Sequence, residues 1–139
     1  MSVPYFHVVA GALYDERGRV LITQRPAGKP LAGRWEFPGG KIHDGEAPYA
    51  GLVRELREEL AVEVRAAEPL MRYEVAYPAG SVDLDMWIVT SWSGRVIGLD
   101  GQAWKWVEPA QLAEEDILEA DQPIVAALIA RASAPNDAG

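Results

Sequence analysis

An amphipathic helix set between runs of strand-forming residues leaves few folds open to this 139-residue chain. Between Ala47 and Leu60, apolar side chains recur every three or four residues, which places them on one side of a helix. The stripe is formed by Tyr49, Leu52, Val53, Leu56 and Leu60. Such a stripe is stable only when it covers the apolar face of another element. We therefore predict a helix over residues 47–60 that packs on a sheet.

Segments rich in β-branched and aromatic residues lie on both sides of this helix and predict strands. They are residues 6–14, 19–25 and 34–37 before the helix and 63–77, 81–92 and 103–109 after it. Turn-forming residues at 15–18 join the first two segments, and those at 78–80 join the next long pair, so both pairs are expected to form hairpins. Pro38, Gly39 and Gly40 are interpreted as a turn that closes the short strand 34–37.

A second helix is predicted at residues 121–132, with Asp121 or Gln122 near its start. Several strands and two helices in one short chain indicate an α/β fold, in which a mixed β-sheet is sandwiched between helices. The length suits a single domain. We expect that domain to span residues 1–132 and residues 133–139 to form a disordered tail.

The composition excludes several classes of function. The net charge is −8, whereas broad nucleic-acid and membrane surfaces need patches of Lys and Arg. Cysteine is absent, which excludes zinc fingers, iron–sulfur sites and thiol nucleophiles. The sequence has neither the pattern of a signal peptide nor an apolar run long enough to span a bilayer. We expect a cytoplasmic monomer that does not bind membranes or nucleic acid, although small anionic substrates are not excluded.

Three glutamates on the first predicted helix repel one another. Glu55, Glu58 and Glu59 are spaced by one, three and four residues and share one side of the helix. A divalent cation such as Mg²⁺ or Mn²⁺ would offset this repulsion, because such cations prefer carboxylate and carbonyl oxygens. The alternative is a solvated face on which Arg54 and Arg57 neutralise the acids.

The acidic helix lies at a fixed distance from upstream residues. Gly40 is followed after five residues by Glu46, and after seven more by Arg54-Glu55-Leu56, one further residue and Glu58-Glu59. This spacing resembles the signature of the Nudix hydrolases. The segments ITQRPAGKPLAGRWEFPGGKI, LDG at 99–101 and ADQPIV at 120–125 are similar to the MutT-like branch of that family. One departure is Ala61, where the family has a glycine suited to a left-handed helix end.

The resemblance implies a Nudix fold and a reaction in which water cleaves a nucleoside triphosphate into a monophosphate and pyrophosphate with Mg²⁺ or Mn²⁺. It implies that Glu58 and Glu59 bind the metal, and that Glu55 is a further ligand or the general base. Gly39 or Gly40 would add a carbonyl oxygen. Asp100 is either another ligand or simply a turn residue before Gly101. Arg54 would orient a carboxylate, Glu46 would brace the loop and Lys41 would meet a phosphate.

The residues implied to bind substrate are Arg25, Glu36, Phe37, Tyr77 and Asp121. For Arg25 the alternative is a surface arginine, and for the two aromatic residues it is core filling. Asp121 stands where the MutT enzyme for 8-oxo-dGTP has Asn. An ionised Asp only accepts hydrogen bonds and so suits the amino group of cytosine, whereas a protonated Asp imitates the amide. Otherwise Asp121 merely caps the last helix.

These readings predict a MutT-type pyrophosphohydrolase, with oxidised dGTP as the first candidate substrate and CTP or modified dCTP as the second. Removal of pyrophosphate from RNA 5′ ends is a different enzymatic possibility, which the acidic charge disfavours. A third possibility is a domain that binds nucleotides without catalysis, which the intact acidic motif disfavours.

Overall fold

A computed structural model describes residues 5–134 of the chain. Seven strands and two α-helices follow one another in the order β1, β2, β3, β4, α1, β5, β6, β7, α2. The strands are β1 Tyr5–Leu13, β2 Val20–Gln24, β3 Trp35–Glu36, β4 Gly39–Lys41, β5 Glu63–Tyr77, β6 Gly80–Ser93 and β7 Trp104–Val107. The helices are α1 Pro48–Leu60 and α2 Gln122–Ser133, with short 3₁₀ turns at Pro109–Glu114 and Glu119–Asp121.

The predicted mixed sheet is confirmed and has the strand order β4-β1-β6-β5. β1 pairs parallel with β6 and antiparallel with β4. Because side chains alternate along a strand, β1 contributes buried side chains to both faces of the sheet. Val9 and Leu13 pack with α1 residues, whereas Ala10 and Ala12 pack with α2 residues. The two helices therefore cover opposite faces, as the sequence predicts.

A smaller antiparallel sheet has the order β3-β2-β7. This arrangement corrects the predicted hairpin of residues 6–14 with 19–25. The first two strands meet only at an isolated bridge between Tyr14 and Val20, and β2 then pairs with β3 and β7. The other predicted hairpin is correct, since β5 and β6 pair from Tyr77 opposite Gly80 onward.

The Gly-Gly segment that reads as a turn is strand β4. Gly39 and Gly40 pair with Ala10 and Val9 of the central strand. A Cβ atom on Gly39 would lie 2.0 Å from the Val9 carbonyl oxygen, so only glycine permits this close approach. β4 thereby holds the Gly-Gly backbone beside α1, where the glutamates are.

The C-terminal helix ends one residue beyond its predicted end, at Ser133. Residues 135–139 of the expected tail lie outside the described part of the chain. No helix within residues 5–134 combines the length and apolar character needed to cross a bilayer.

Candidate active site

A cavity of about 410 Å³ lies over the α2 face of the mixed sheet and is walled by residues of both sheets. Apolar side chains from three strands line one part of it: Val8, Ala10, Val75, Val82 and Leu84. Polar and charged residues line the remainder: Arg25, Lys29, Glu36, Lys41, Glu59 and Asp121. The cavity thus has an apolar wall next to a charged edge, which suits a ligand with an aromatic part and an anionic part.

A second cavity of about 90 Å³ adjoins the first and brings Asp100 to the site. The two cavities share Arg25, Lys29, Glu36 and Glu59 in their walls. Asp100 lies in a turn between β6 and β7, and this segment is tied to α1 because Leu99 N donates to the Glu59 carbonyl oxygen at 3.0 Å. The predicted pairing of Asp100 with the glutamate helix is therefore spatially possible, and its role as a ligand stays a prediction.

Arg54 holds two of the helix glutamates and the loop before the helix. Its guanidinium donates to Glu55 at 2.9 Å, to Glu58 at 3.1 Å and to both oxygens of Glu46 at 2.7 and 2.9 Å. Glu46 also accepts from His43 N at 3.0 Å. Donation by Arg54 and by this amide lowers the pKa of Glu46 to about 2. These contacts are those expected of a loop brace and a carboxylate-orienting arginine.

Arg57 does not neutralise the helix glutamates. It pairs with Glu63 at the start of β5, at 2.6 Å. Glu58 is 57% exposed and faces Arg54, as a residue of a solvated helix face would. Glu58 therefore lies on a solvated helix face, as the alternative interpretation has it. Glu55 and Glu59 do not, because they face the Gly-Gly strand.

Glu55 and Glu59 lie against the Gly-Gly strand. A Cβ atom on Gly40 would come within 2.4 Å of Glu55 Oε2, and Gly39 N donates weakly to Glu59 Oε2 at 3.3 Å. The absence of side chains on the two glycines is what admits both carboxylates. The Gly-Gly backbone and the two carboxylates are thus brought together beside the cavity, which Gly39, Gly40 and Glu59 line.

Glu59 is a half-buried carboxylate with acidic neighbours. Burial and the charges of Glu55, Glu36 and Asp100 raise its pKa to about 8, and no cationic side chain within residues 5–134 forms an ion pair with it. Among the described residues, no three His, Asp or Glu side chains converge as a formed metal site. The Glu55 and Glu59 carboxylates that do meet supply hard oxygen donors, and of these two, within residues 5–134, Arg54 pairs with Glu55 only. The unpaired charge of Glu59 and this donor type fit a divalent cation such as Mg²⁺ or Mn²⁺.

α1 ends in a left-handed residue that is not glycine. Ala61 has φ 59° and ψ 29°, and its N–H donates to the Arg57 carbonyl oxygen. The helix therefore ends as it would with the family glycine, and the alanine accepts the strain of that conformation. The departure at Ala61 leaves the placement of the glutamates intact.

Arg25 and Glu36, both predicted to bind substrate, are bonded to each other at the cavity edge. Arg25 Nη1 lies 2.8 Å from Glu36 Oε2, and Arg25 Nε donates to the Pro30 carbonyl oxygen at 2.7 Å.

Lys41 also lines the cavity, with its Nζ 4.0 Å from the centre of the Phe6 ring. Lys29 is a cavity residue that the sequence reading missed, because nothing marks a lysine in a Pro/Gly loop as functional.

Asp121 occupies the position before α2 but makes no side-chain capping bond. Its Oδ2 instead accepts from Phe37 N at 3.2 Å, at the floor of the cavity. The capping interpretation is therefore wrong. Burial is the main cause that raises the pKa of Asp121 to about 7, and the charge of Glu36 adds to it.

The two aromatic residues predicted to bind substrate differ in exposure. Phe37 is buried, as a core residue would be, whereas Tyr77 is 47% exposed at the cavity edge.

Comparison with known proteins agrees with this geometry. The family model described as NUDIX domain matches residues 4–128. The 8-oxo-dGTP diphosphatase of Escherichia coli (strain K12) is 33% identical over 121 residues, which is 87% of this chain and 94% of that protein. The CTP pyrophosphohydrolase of the same organism is 35% identical over 130 residues, covering 93% and 96%.

Solved structures show the same fold. A structure from a study of MutT from Aliivibrio salmonicida and Vibrio cholerae superposes with a TM-score of 0.81 at 34% identity, covering 92% of this chain and 99% of that one. The solution structure of the E. coli ORF135 protein gives a TM-score of 0.84 at 33% identity, covering 97% and 96%.

Proposed function

This chain belongs to the Nudix hydrolase family and is a hydrolase of the MutT type, and from that premise we propose that it converts nucleoside triphosphates and water into nucleoside monophosphates and pyrophosphate. The observation that carries the proposal is the meeting of Glu55, Glu59 and the Gly39-Gly40 backbone at one edge of a cavity that has Asp121 on its floor. The edge at which we place the metal is thereby next to the apolar wall of the cavity, where we place the base. We expect Mg²⁺ or Mn²⁺ as the cofactor.

A divalent cation bound by Glu58, Glu59 and a glycine carbonyl would neutralise phosphate oxygens, with Glu55 as a further ligand or as the general base. The remaining work belongs to the side chains. Arg54 holds the Glu55 carboxylate in one orientation, so that it can accept a proton from the attacking water if it is the general base. The water oxygen then bonds to the α- or β-phosphorus, and the bond from that phosphorus to the oxygen that bridges the two phosphates breaks, which separates the nucleoside monophosphate from pyrophosphate.

Asp121 is the residue that we propose reads the base. One carboxylate oxygen accepts from Phe37 N, the other forms no hydrogen bond within residues 5–134, and the residue lines the cavity. A protonated Asp121 offers a donor and an acceptor, as an oxidised guanine requires, whereas an ionised Asp121 suits the amino group of cytosine. Because its pKa is raised to about 7, both states are populated near neutral pH. We place 8-oxo-dGTP first because of the similarity to 8-oxo-dGTP diphosphatases, and CTP or a modified dCTP second because of the similarity to CTP pyrophosphohydrolase.

A turnover screen tests the proposal. Values of kcat/KM with Mg²⁺ are compared for 8-oxo-dGTP, dGTP, CTP and 5-methyl-dCTP at pH 6 and pH 8, for the wild type and for Asp121→Asn. We expect preference to move from oxidised guanine towards cytosine as the pH rises, and we expect Asp121→Asn to abolish that movement and favour oxidised guanine. An unchanged ranking in the variant would mean that Asp121 does not read the base.

Two further measurements test the catalytic part. The double variant Glu58→Gln, Glu59→Gln is expected to lose turnover by at least about a thousandfold. Surviving turnover would show that the metal site is elsewhere. Triphosphorylated RNA serves as a competing substrate, and higher kcat/KM on RNA than on free nucleotides would replace nucleotide hydrolysis by RNA 5′ processing.

A further inference from the structure

The loop between β2 and β3 places a lysine at the edge that the two cavities share. Lys29 lines both the cavity of about 410 Å³ and the cavity of about 90 Å³. The smaller cavity lies towards Asp100, on the side away from Asp121, since it is lined by Pro26, Asp100 and Gln102 and not by the apolar wall. A ligand whose base reaches Asp121 would extend its far end past Glu59 towards Lys29.

The loop that carries Lys29 is bonded to itself and to β2. Gly33 N donates to the Arg25 carbonyl oxygen at 2.9 Å, Gln24 Nε2 donates to the Gly33 carbonyl oxygen at 3.0 Å, and Arg25 Nε donates to Pro30 O at 2.7 Å. The last bond is to the residue that follows Lys29. The position of Lys29 is therefore coupled directly to the Arg25 guanidinium.

The cationic groups of the cavity differ in what already holds them. Arg25 is bonded to Glu36 and to Pro30, and Lys41 lies over the Phe6 ring. Lys29 is exposed, and its side chain forms no hydrogen bond or ion pair with any residue between 5 and 134. A lysine that is not otherwise bonded gains most from a phosphate, because it gives up no existing contact.

We infer that Lys29 binds the phosphates beyond the α-phosphate of the substrate, and that Arg25 acts mainly by positioning the loop that presents it. This inference rests on the proposed function and adds to it, since it assigns the distal phosphates to the small cavity. Glu36, Glu59 and Asp100 line that cavity, so an exposed cationic side chain beside them reduces their repulsion of a ligand with several negative charges.

Product inhibition separates the distal phosphates from the nucleoside end. The inhibition constants of pyrophosphate and of the nucleoside monophosphate product are measured for the wild type, Lys29→Ala and Lys29→Arg. We expect Lys29→Ala to raise the pyrophosphate constant about tenfold, as loss of one charge-assisted contact does, and to change the monophosphate constant less than twofold. Lys29→Arg should remain within about threefold of the wild type.

The matched control is Arg17→Ala, which removes the same charge from an exposed position in the turn between β1 and β2. It should leave both constants unchanged. An unchanged pyrophosphate constant in Lys29→Ala, or an equal rise of both constants, would overturn the inference. If the wild type hydrolyses no nucleotide, the proposed function fails, and calorimetric binding of pyrophosphate with Mg²⁺ to the same variants still decides the role of Lys29.

Discussion

Ala61 shows that a single residue can hold an unfavourable backbone conformation without altering the site beside it. A left-handed alanine costs about 1 kcal/mol relative to glycine, and Ala61 has φ 59°. The hydrogen bond from its N–H to the Arg57 carbonyl oxygen and the packing of Leu60 and Val62 offset that cost. Local strain is thus retained at a helix end whose geometry the glutamates need.

Replacement of Ala61 by Gly is expected to raise the free energy of unfolding by about 0.5–1 kcal/mol, because the strain is removed. Urea denaturation measures the change. The control Ala50→Gly, at an exposed position inside α1, should lower the free energy by a similar amount. A destabilised Ala61→Gly variant would show that the left-handed residue carries no strain.

Asp121 links stability to pH. Its pKa is raised from 3.8 to about 7 in the folded protein, so the folded state retains a proton that the unfolded state loses. The associated stability is fully present below pH 3.8 and is lost as the pH rises through about 7. The Asn side chain of Asp121→Asn cannot ionise. The free energy of unfolding of this variant, relative to that of the wild type, should therefore rise by about 2 kcal/mol from pH 5 to pH 8.

Thermal unfolding at both pH values measures this gain. Asp44→Asn is the control, because it removes an exposed carboxylate from the loop before α1. A difference between Asp121→Asn and the wild type that is the same at both pH values would mean that Asp121 is ionised throughout this range.

At the scale of elements, α1 acts as the support of the site through the loop that precedes it. The Arg54 guanidinium joins Glu46 of that loop to two glutamates of the helix. Glu46→Gln removes one charge of this network and is expected to lower kcat/KM about tenfold or more, because a residue that orients ligands is lost. Glu63→Gln breaks the exposed Arg57 pair of the same helix and should change kcat/KM less than twofold. Equal effects would mean that Glu46 has no special role.

The helix also carries a carboxylate, Glu59, that the proposed function requires and that the stability of the fold does not. Glu59→Gln removes repulsion with Glu55, Glu36 and Asp100. It should raise the Tm of the metal-free protein at pH 8 by a few degrees, on the order of 1 kcal/mol. The rise in Tm that Mg²⁺ gives the wild type should be lost. Glu58→Gln, at an exposed position, should leave the metal-free Tm unchanged, and a fall in Tm on Glu59→Gln would contradict this account.

Elements differ in how far local sequence determines them. The stripe of Leu52, Leu56 and Leu60 predicts α1 because its contacts repeat with the period of the helix itself. β4 could not be predicted from local sequence. Gly39 and Gly40 have no preference for the extended conformation, which they adopt because they pair with Ala10 and Val9. The predicted β1–β2 hairpin is wrong because both strands find better partners elsewhere in the chain.

Over the whole molecule, the cavity is assembled from segments that the sequence keeps far apart. Glu55 and Glu59 are predicted as site residues because the family signature that they resemble is a local spacing from Gly40 to Glu59. The contact of Asp121 with Phe37, 84 positions apart, follows from the packing of α2 on the sheet. The proximity of Lys29 to both cavities follows from the separate three-stranded sheet. Neither the Asp121–Phe37 contact nor the position of Lys29 could be predicted from the sequence next to these residues.

The parallel pairing of β1 with β6 has a consequence for how the chain folds during synthesis. Tyr5 to Leu13 pair with Ser81 to Val89, so β1 is completed by residues that are synthesised 76 positions later. Until then its buried residues have no full set of partners, and early structure depends on α1 and the Gly-Gly strand. Because contacts so distant in sequence slow folding, we expect the apolar residues of β1 to stay exposed to aggregation until β6 has been synthesised.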